Sequence, residues 1–298
     1  MQLRRATNVR QIGTHCLVLV ALFLAARSTS AADRYPLRGL VLSVDASHKS
    51  FVVSHDSIPN VMGAMTMSFD VREPGDLEGV APGTIVEFTL MLDRQEAHAE
   101  QIRIRRYESI EQDPLTARRL KLLKDIIGSP SKALTIGQAV PDFTLTDQTG
   151  GRVALSQLRG RVVAINFIYT SCALPQFCFR TANQFGVLQK RFRPQLGRDV
   201  VFLTVTFDPV RDQPERLAEY AGQWKADPSA WHFLTGAVMD IQRVCSLFGL
   251  DYFPDEGLIN HSSRTAVIDR QGHLAASIEG NQFTAEQLGD LLDTTRRR

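Results

Sequence analysis

Cysteine is scarce in this chain: 298 residues carry four. One of them, Cys16, stands in an N-terminal segment unlike the rest, which leaves Cys172, Cys178 and Cys245 for the remainder. Three thiols in so long a chain exclude a disulfide scaffold, and an odd count leaves at least one unpaired within the chain. Stability has to come from apolar cores, which a composition 44% hydrophobic and 22% charged can supply. Charge of one sign is lacking too. The formal net charge is only +2, and the basic residues are scattered apart from short groups at 103–106 and 118–124 and the terminal Arg296-Arg297-Arg298, so there is no nucleic-acid footprint. The apolar run Cys16 to Ala26, "CLVLVALFLAA", is too short for a comfortable membrane-spanning helix, which needs about 20 residues. Arg4, Arg5 and Arg10 precede it and "RSTSAAD" follows. That order reads as a secretory signal over residues 1–32 with cleavage near Ala31 or Ala32. A membrane enters only if the segment stays as an uncleaved anchor. The expected location is exported, in a compartment that permits disulfides.

What is present falls into two regions. Over residues 35–107, "GLVLSV", "SFVVSH", "MTMSFDV", "TIVEFTLML" and "EQIRIRRY" are short strand-like stretches parted by turns at "DASHKS", "EPGD" and "APG", the pattern of a small all-β barrel of OB type. Residues 108–133 read as a linker with a helix from Leu115 to Ile127, stopped by Gly128 and Pro130. Over residues 134–298 strands alternate with helices. "VVAINFIY" and "VVFLTVTF" are continuous apolar runs, as in a sheet covered on both faces, and "TAVIDRQG" opens a hairpin with "LAASIEG". "RTANQFGVLQKRF" and "DQPERLAEYAGQW" are helical, the second with Asp212 and Glu215 as a capping box and Pro214 in its first turn. The fold class expected is an α/β thioredoxin-like domain preceded by the barrel.

Two cysteines, Cys172 and Cys178, follow the strand "VVAINFIY" where a helix begins. A helix N-terminus favours negative charge, so at least one thiol is expected to have a lowered pKa. The spacing is C-x5-C, wider than the C-x-x-C of redox pairs. Disulfide, redox pair and metal site all remain open to such a loop. For a metal, a third ligand must come from elsewhere, and His261 in "INHSSRTAVIDRQG" precedes the strand that lies opposite the cysteine loop in a thioredoxin-like sheet. Two thiolates and an imidazole suit soft Cu(I). Cys245, in the amphipathic "DIQRVCSLFGL", reads as a buried apolar thiol.

"GQAVPDFTLTDQTG", the cysteine loop, "TFDPVRDQPERLAEY", "WHFLTG" and "NHSSRTAVIDRQG" together resemble the Sco/SenC family of copper chaperones and thiol oxidoreductases. The resemblance implies copper-ligand positions at Cys172, Cys178 and His261, with Asp208 at an acidic position near the site. The family loop is usually C-x3-C followed by proline, whereas "CALPQFCF" is two residues longer and lacks that proline.

In the first region "SHDSIPNVMGAMTMSF" brings His55, Met62, Met65 and Met67 into one hairpin-sized segment. Met65 and Met67 alternate about Thr66 and share a strand face. Thioethers bind Cu(I) but hardly compete for zinc or iron. His55, Ile58 and "MTM" make the region similar to the periplasmic CusF-type copper-binding domain. That family usually has a metal-capping tryptophan shortly before the first methionine, where this chain has Met62 and Gly63. The two resemblances imply an exported copper chaperone that binds Cu(I) and delivers it to a respiratory cytochrome c oxidase copper centre, the partner being an oxidase subunit or another exported copper protein. The rival expectations are a thiol–disulfide oxidoreductase using Cys172 and Cys178, and a copper storage or resistance protein.

Overall fold

In a computed structural model of the chain the described residues are 33–92, 97–105, 118, 122, 133–172, 175–255 and 258–298. The expected signal segment lies outside them, as does the expected helix Leu115 to Ile127 apart from Arg118 and Leu122, both helical. No helix among the described residues is long and apolar enough to cross a membrane.

The five strands expected in the first region are β1 (Asp33–Asp45), β2 (Ser50–His55), β3 (Met65–Val71), β4 (Ile85–Leu92) and β5 (Ala97–Ile104), closed into a barrel in the order β1-β2-β3-β5-β4. Alternation drives the closure: Phe51 and Val53, Phe69 and Val71, and Val86, Phe88 and Leu90 turn inward as one core. The rings of Phe51, Phe69 and Phe88 fill its centre at 4.9–5.9 Å. Gly39 is required where β1 crosses β2, because a Cβ there would lie 2.5 Å from the Ser54 carbonyl.

The second region is a seven-stranded sheet in the order β14-β13-β8-β9-β10-β6-β7. Its centre is β8 (Val162–Ile168) parallel to β9 (Val200–Thr206), both buried at every position, as their unbroken apolar sequences require. Parallel β10 (Trp231–Thr235) and the hairpin β6 (Thr144–Asp147) and β7 (Arg152–Ala154) extend one edge, and β13 (Arg264–Ile268) and β14 (Leu274–Glu279) the other. The helices are α1 (Arg180–Arg191), α2 (Pro214–Gln223), α3 (Val238–Leu247) and α4 (Ala285–Arg296). A separate hairpin, β11 (Tyr252–Asp255) with β12 (Leu258–His261), was not evident in the sequence.

One expectation is corrected at α2. Pro214 does occupy its first turn, but the N-cap is Gln213 and Asp212 makes no cap. Its carboxylate turns into the protein instead, to a pair of strand ends described below.

The barrel is not held by its covalent linker alone. Leu40, Leu42 and Ile85 face outward from it and are buried in the core of the α/β region, whereas Leu37 and Val41 point into the barrel. A register shift between Val41 and Ser43 accompanies this burial of β1 on both faces, which explains its continuous "GLVL". The turn at Gly83 lies against β14, where a Cβ would come within 2.6 Å of the Ser277 carbonyl, and φ there is +91°. Only glycine satisfies both conditions. Interfaces within a chain that bury apolar core residues in this way oppose free relative motion.

Candidate metal centres

β8 ends at Ile168 and delivers the cysteine loop. Asp212, fully buried, accepts hydrogen bonds from the Thr170 amide at 3.0 Å, the Thr170 hydroxyl at 2.5 Å and the Thr206 hydroxyl at 2.5 Å. One carboxylate thus ties the start of the loop to the end of β9. Cys178 then lies in a π-helical turn, Pro175–Phe179, which runs directly into α1. Such turns widen a helix by one residue and recur at functional sites.

Both cysteines are in the reduced thiol form, Cys172 half-buried and Cys178 buried. They are hydrogen-bonded to each other, and that bond, with burial, holds the Cys178 pKa well above the ordinary thiol value. The lowered pKa expected at a helix N-terminus is therefore reversed for Cys178. The hydrogen bond to Cys172 and the loss of hydration in the buried turn together outweigh the helix field. Tyr169 stands beside the pair, its phenol pKa raised by burial and then by Cys172.

His261 is carried to the same place from the opposite side by β12. Its ring packs on Phe207 at 4.7 Å, Tyr169 at 5.8 Å and Phe177 at 6.1 Å. Nδ1 lies 2.8 Å from the Ser262 carbonyl, which assigns the proton to Nδ1 and leaves the Nε2 lone pair for a ligand. Asp208 follows Phe207 and is buried, with Oδ2 lacking a hydrogen bond and Arg211 Nε 3.6 Å away. Burial raises its pKa, with Asp212 adding to the rise and Arg211 opposing it. Cys172, Cys178 and His261 thus gather round Tyr169, but among the described residues no three His, Cys, Asp or Glu side chains are close enough to hold one metal.

The second candidate set lies in the barrel. Register pairs Val53 with Met67, Ser54 with Thr66 and His55 with Met65. His55, Met67 and Met65 therefore share the inner face at one end of the barrel. His55 is 1% exposed, its Nδ1 2.7 Å from the Asp56 carbonyl and its Nε2 buried without any hydrogen-bond partner. A buried polar atom left unpaired costs about 1–3 kcal/mol, so it calls for an explanation. The neighbouring groups are two thioethers, which suit a soft cation. Met67 packs against the barrel core, and Met65 is 48% exposed at the rim. Met62 also packs on the core, held by paired backbone bonds with Ile58 at 2.9 and 3.1 Å. At Gly63 a Cβ would meet nothing within 4 Å.

Residues 132–295 match the family model SCO1/SenC. The chain belongs to the SCO1/SenC family. Residues 34–104 match the model of the copper binding periplasmic protein CusF, so this SCO1/SenC chain carries a CusF-like barrel before its thioredoxin-like domain, and copper is the metal of both parts. A putative copper-binding protein of Stutzerimonas stutzeri is 30% identical over 150 residues, covering 47% of this chain and 69% of the relative. The SCO1 protein homolog of Bacillus subtilis is 32% identical over 97 residues, 33% of this chain and about half (49%) of that relative. Among solved structures, a SCO1/SenC family lipoprotein from Bacillus anthracis is 24% identical with a TM-score of 0.49, covering 55% of this chain and 99% of that one.

Sequence reasoning missed Asp212 and Tyr169. The available signal for Asp212 was a pair of threonines, Thr170 and Thr206, at the ends of two adjacent apolar strands, where hydroxyls need an acceptor.

Proposed function

We propose that this SCO1/SenC protein is an exported copper chaperone. Residues 1–32 act as the export signal, the barrel of residues 35–107 takes up Cu(I), residues 108–133 link, and residues 134–298 pass the ion on. His55, Met65 and Met67 bind in the barrel with Met62 beside them. Cys172, Cys178 and His261 bind in the second domain, with Asp208 near. The recipient is the copper centre of a cytochrome c oxidase subunit or another exported copper protein.

The observation that carries this reading is the unpaired Nε2 of His55, buried in a strand that faces two methionines. Export is supported by the leader's composition and by the word periplasmic in the matched CusF description. In the second domain the ions would be held by groups that must first lose a proton, and binding therefore draws Cys178 out of its protonated, hydrogen-bonded state. Replacing His261 by Ala tests the assignment: Cu(I) at the second domain is lost while thiol–disulfide exchange persists. A variant that holds copper as tightly as the parent would remove His261 from the site.

A second reading, thiol–disulfide oxidoreductase, is favoured by one feature: the two thiols are hydrogen-bonded to each other. In that role they would reduce a partner's disulfide to two thiols and become the Cys172–Cys178 disulfide themselves, with no use for His261.

A further inference from the structure

The outer face of β2 and β3 carries a feature that neither copper site explains. Ser54 and Thr66 are direct cross-strand partners, in the rung between Val53–Met67 and His55–Met65. Their side chains point away from the barrel interior, and both hydroxyls donate to one oxygen of Asp290 on α4, at 2.8 and 3.0 Å. The other Asp290 oxygen accepts from Arg191, in the last turn of α1, at 2.7 Å. Gln287, one turn earlier on α4, donates to the Ser54 carbonyl at 3.2 Å and to the Asp56 carboxylate at 3.1 Å. The residues on either side of His55 are thereby fixed by the α/β domain. So is the threonine between Met65 and Met67.

We propose that Asp290 is a positioning residue for copper in the barrel, clamping the two ligand-bearing strands from outside. The physical need is local. The His55–Met65 pair is the last rung of β2 with β3, followed by the loop through Met62 and Gly63. Beyond it the pairing resumes at a single isolated bridge, Ile58 with Met62, three residues on, so the rung that carries His55 and Met65 has no directly adjacent rung on that side. Three ligands from two strands keep their spacing only if the strands do, and small displacements of a ligand set cost affinity steeply. A carboxylate bridging both hydroxyls supplies that constraint, and Arg191 holds the carboxylate in turn. The barrel site is then a property of the two docked domains, not of the barrel alone.

This inference rests on the barrel binding Cu(I), and its test separates the two ideas. The full mature chain in a Cys172→Ser/Cys178→Ser background reports the barrel alone, with affinity read by competition against a chromophoric Cu(I) chelator. The parent in that background is expected to bind one copper. Asp290→Ala is expected to retain that stoichiometry but lose about tenfold in affinity, and Asp290→Asn, whose carbonyl still accepts from both hydroxyls, to recover to within about twofold. Ser54→Ala with Thr66→Val should reproduce the loss without touching α4, which serves if Asp290→Ala does not fold. Unchanged affinity in a folded Asp290→Ala or in the hydroxyl double variant overturns the positioning role. No copper in the parent background overturns the barrel reading itself.

Discussion

Replacing Asp212 by Ala would strip the cysteine loop of its anchor. The carboxylate is fully buried and accepts three hydrogen bonds, two from Thr170 and one from Thr206. Hydrogen bonds to a charged acceptor contribute about 1.5–3 kcal/mol each. They do not add in full, because the Thr170 hydroxyl also meets Arg216 Nε at 3.3 Å and keeps a partner, and because removing a buried charge relieves its desolvation. A net loss of about 3 kcal/mol follows, with the Thr170 amide and the Thr206 hydroxyl proton left without an acceptor, while the Thr206 oxygen still accepts from the Asp208 amide at 3.0 Å. For a unit of 150–250 residues each kcal/mol moves Tm by about 2–4 °C, so the melting point should fall by about 6–12 °C. Thermal unfolding of the full chain followed by near-ultraviolet circular dichroism reads this directly. Asp212→Asn, which keeps the size but turns an amide donor toward one of the same donors, should lose about half as much. A melting point for Asp212→Ala within about 1 °C of the parent would refute the anchoring of the cysteine loop.

His55→Leu separates function from stability: removing a buried unpaired nitrogen should leave stability within about 1 kcal/mol of the parent while the barrel loses its copper, and stoichiometric Cu(I) in the barrel of that variant would contradict the ligand role. Iodoacetamide labelling with peptide mapping tests the thiols. The raised Cys178 pKa keeps it protonated as pH climbs through the ordinary thiol range, and burial does the same for Cys245. Half-buried Cys172 should therefore label first and the other two only on unfolding; equal rates for Cys172 and Cys178 would refute it.

Much of the architecture was legible because it rests on periodicity. The two fully buried strands were continuous apolar runs, and the five barrel strands alternated between turns. The position of His55 opposite Met65 was legible in part, since strand period fixes which residues share a face but not the register that makes them partners. Asp212 was misread because a capping box is a local pattern, while its actual partners, Thr170 and Thr206, are brought to it by the sheet. The Cys178 environment was not legible for a related reason. Helix-terminus fields are visible in sequence, but the Cys172 hydrogen bond and the burial that override them at Cys178 depend on how the longer C-x5-C loop folds into its π-helical turn. The docking of the barrel left one trace, the apolar run of β1, whose two buried faces serve two different cores.

The central claim is that one chain holds two Cu(I) sites, and anaerobic Cu(I) titration of the reduced mature protein tests it most directly, run beside the Cys172→Ser/Cys178→Ser variant with bound metal counted against protein. Two coppers in the parent falling to one in the variant is the predicted result; a single copper indifferent to the cysteines, or none, would contradict it.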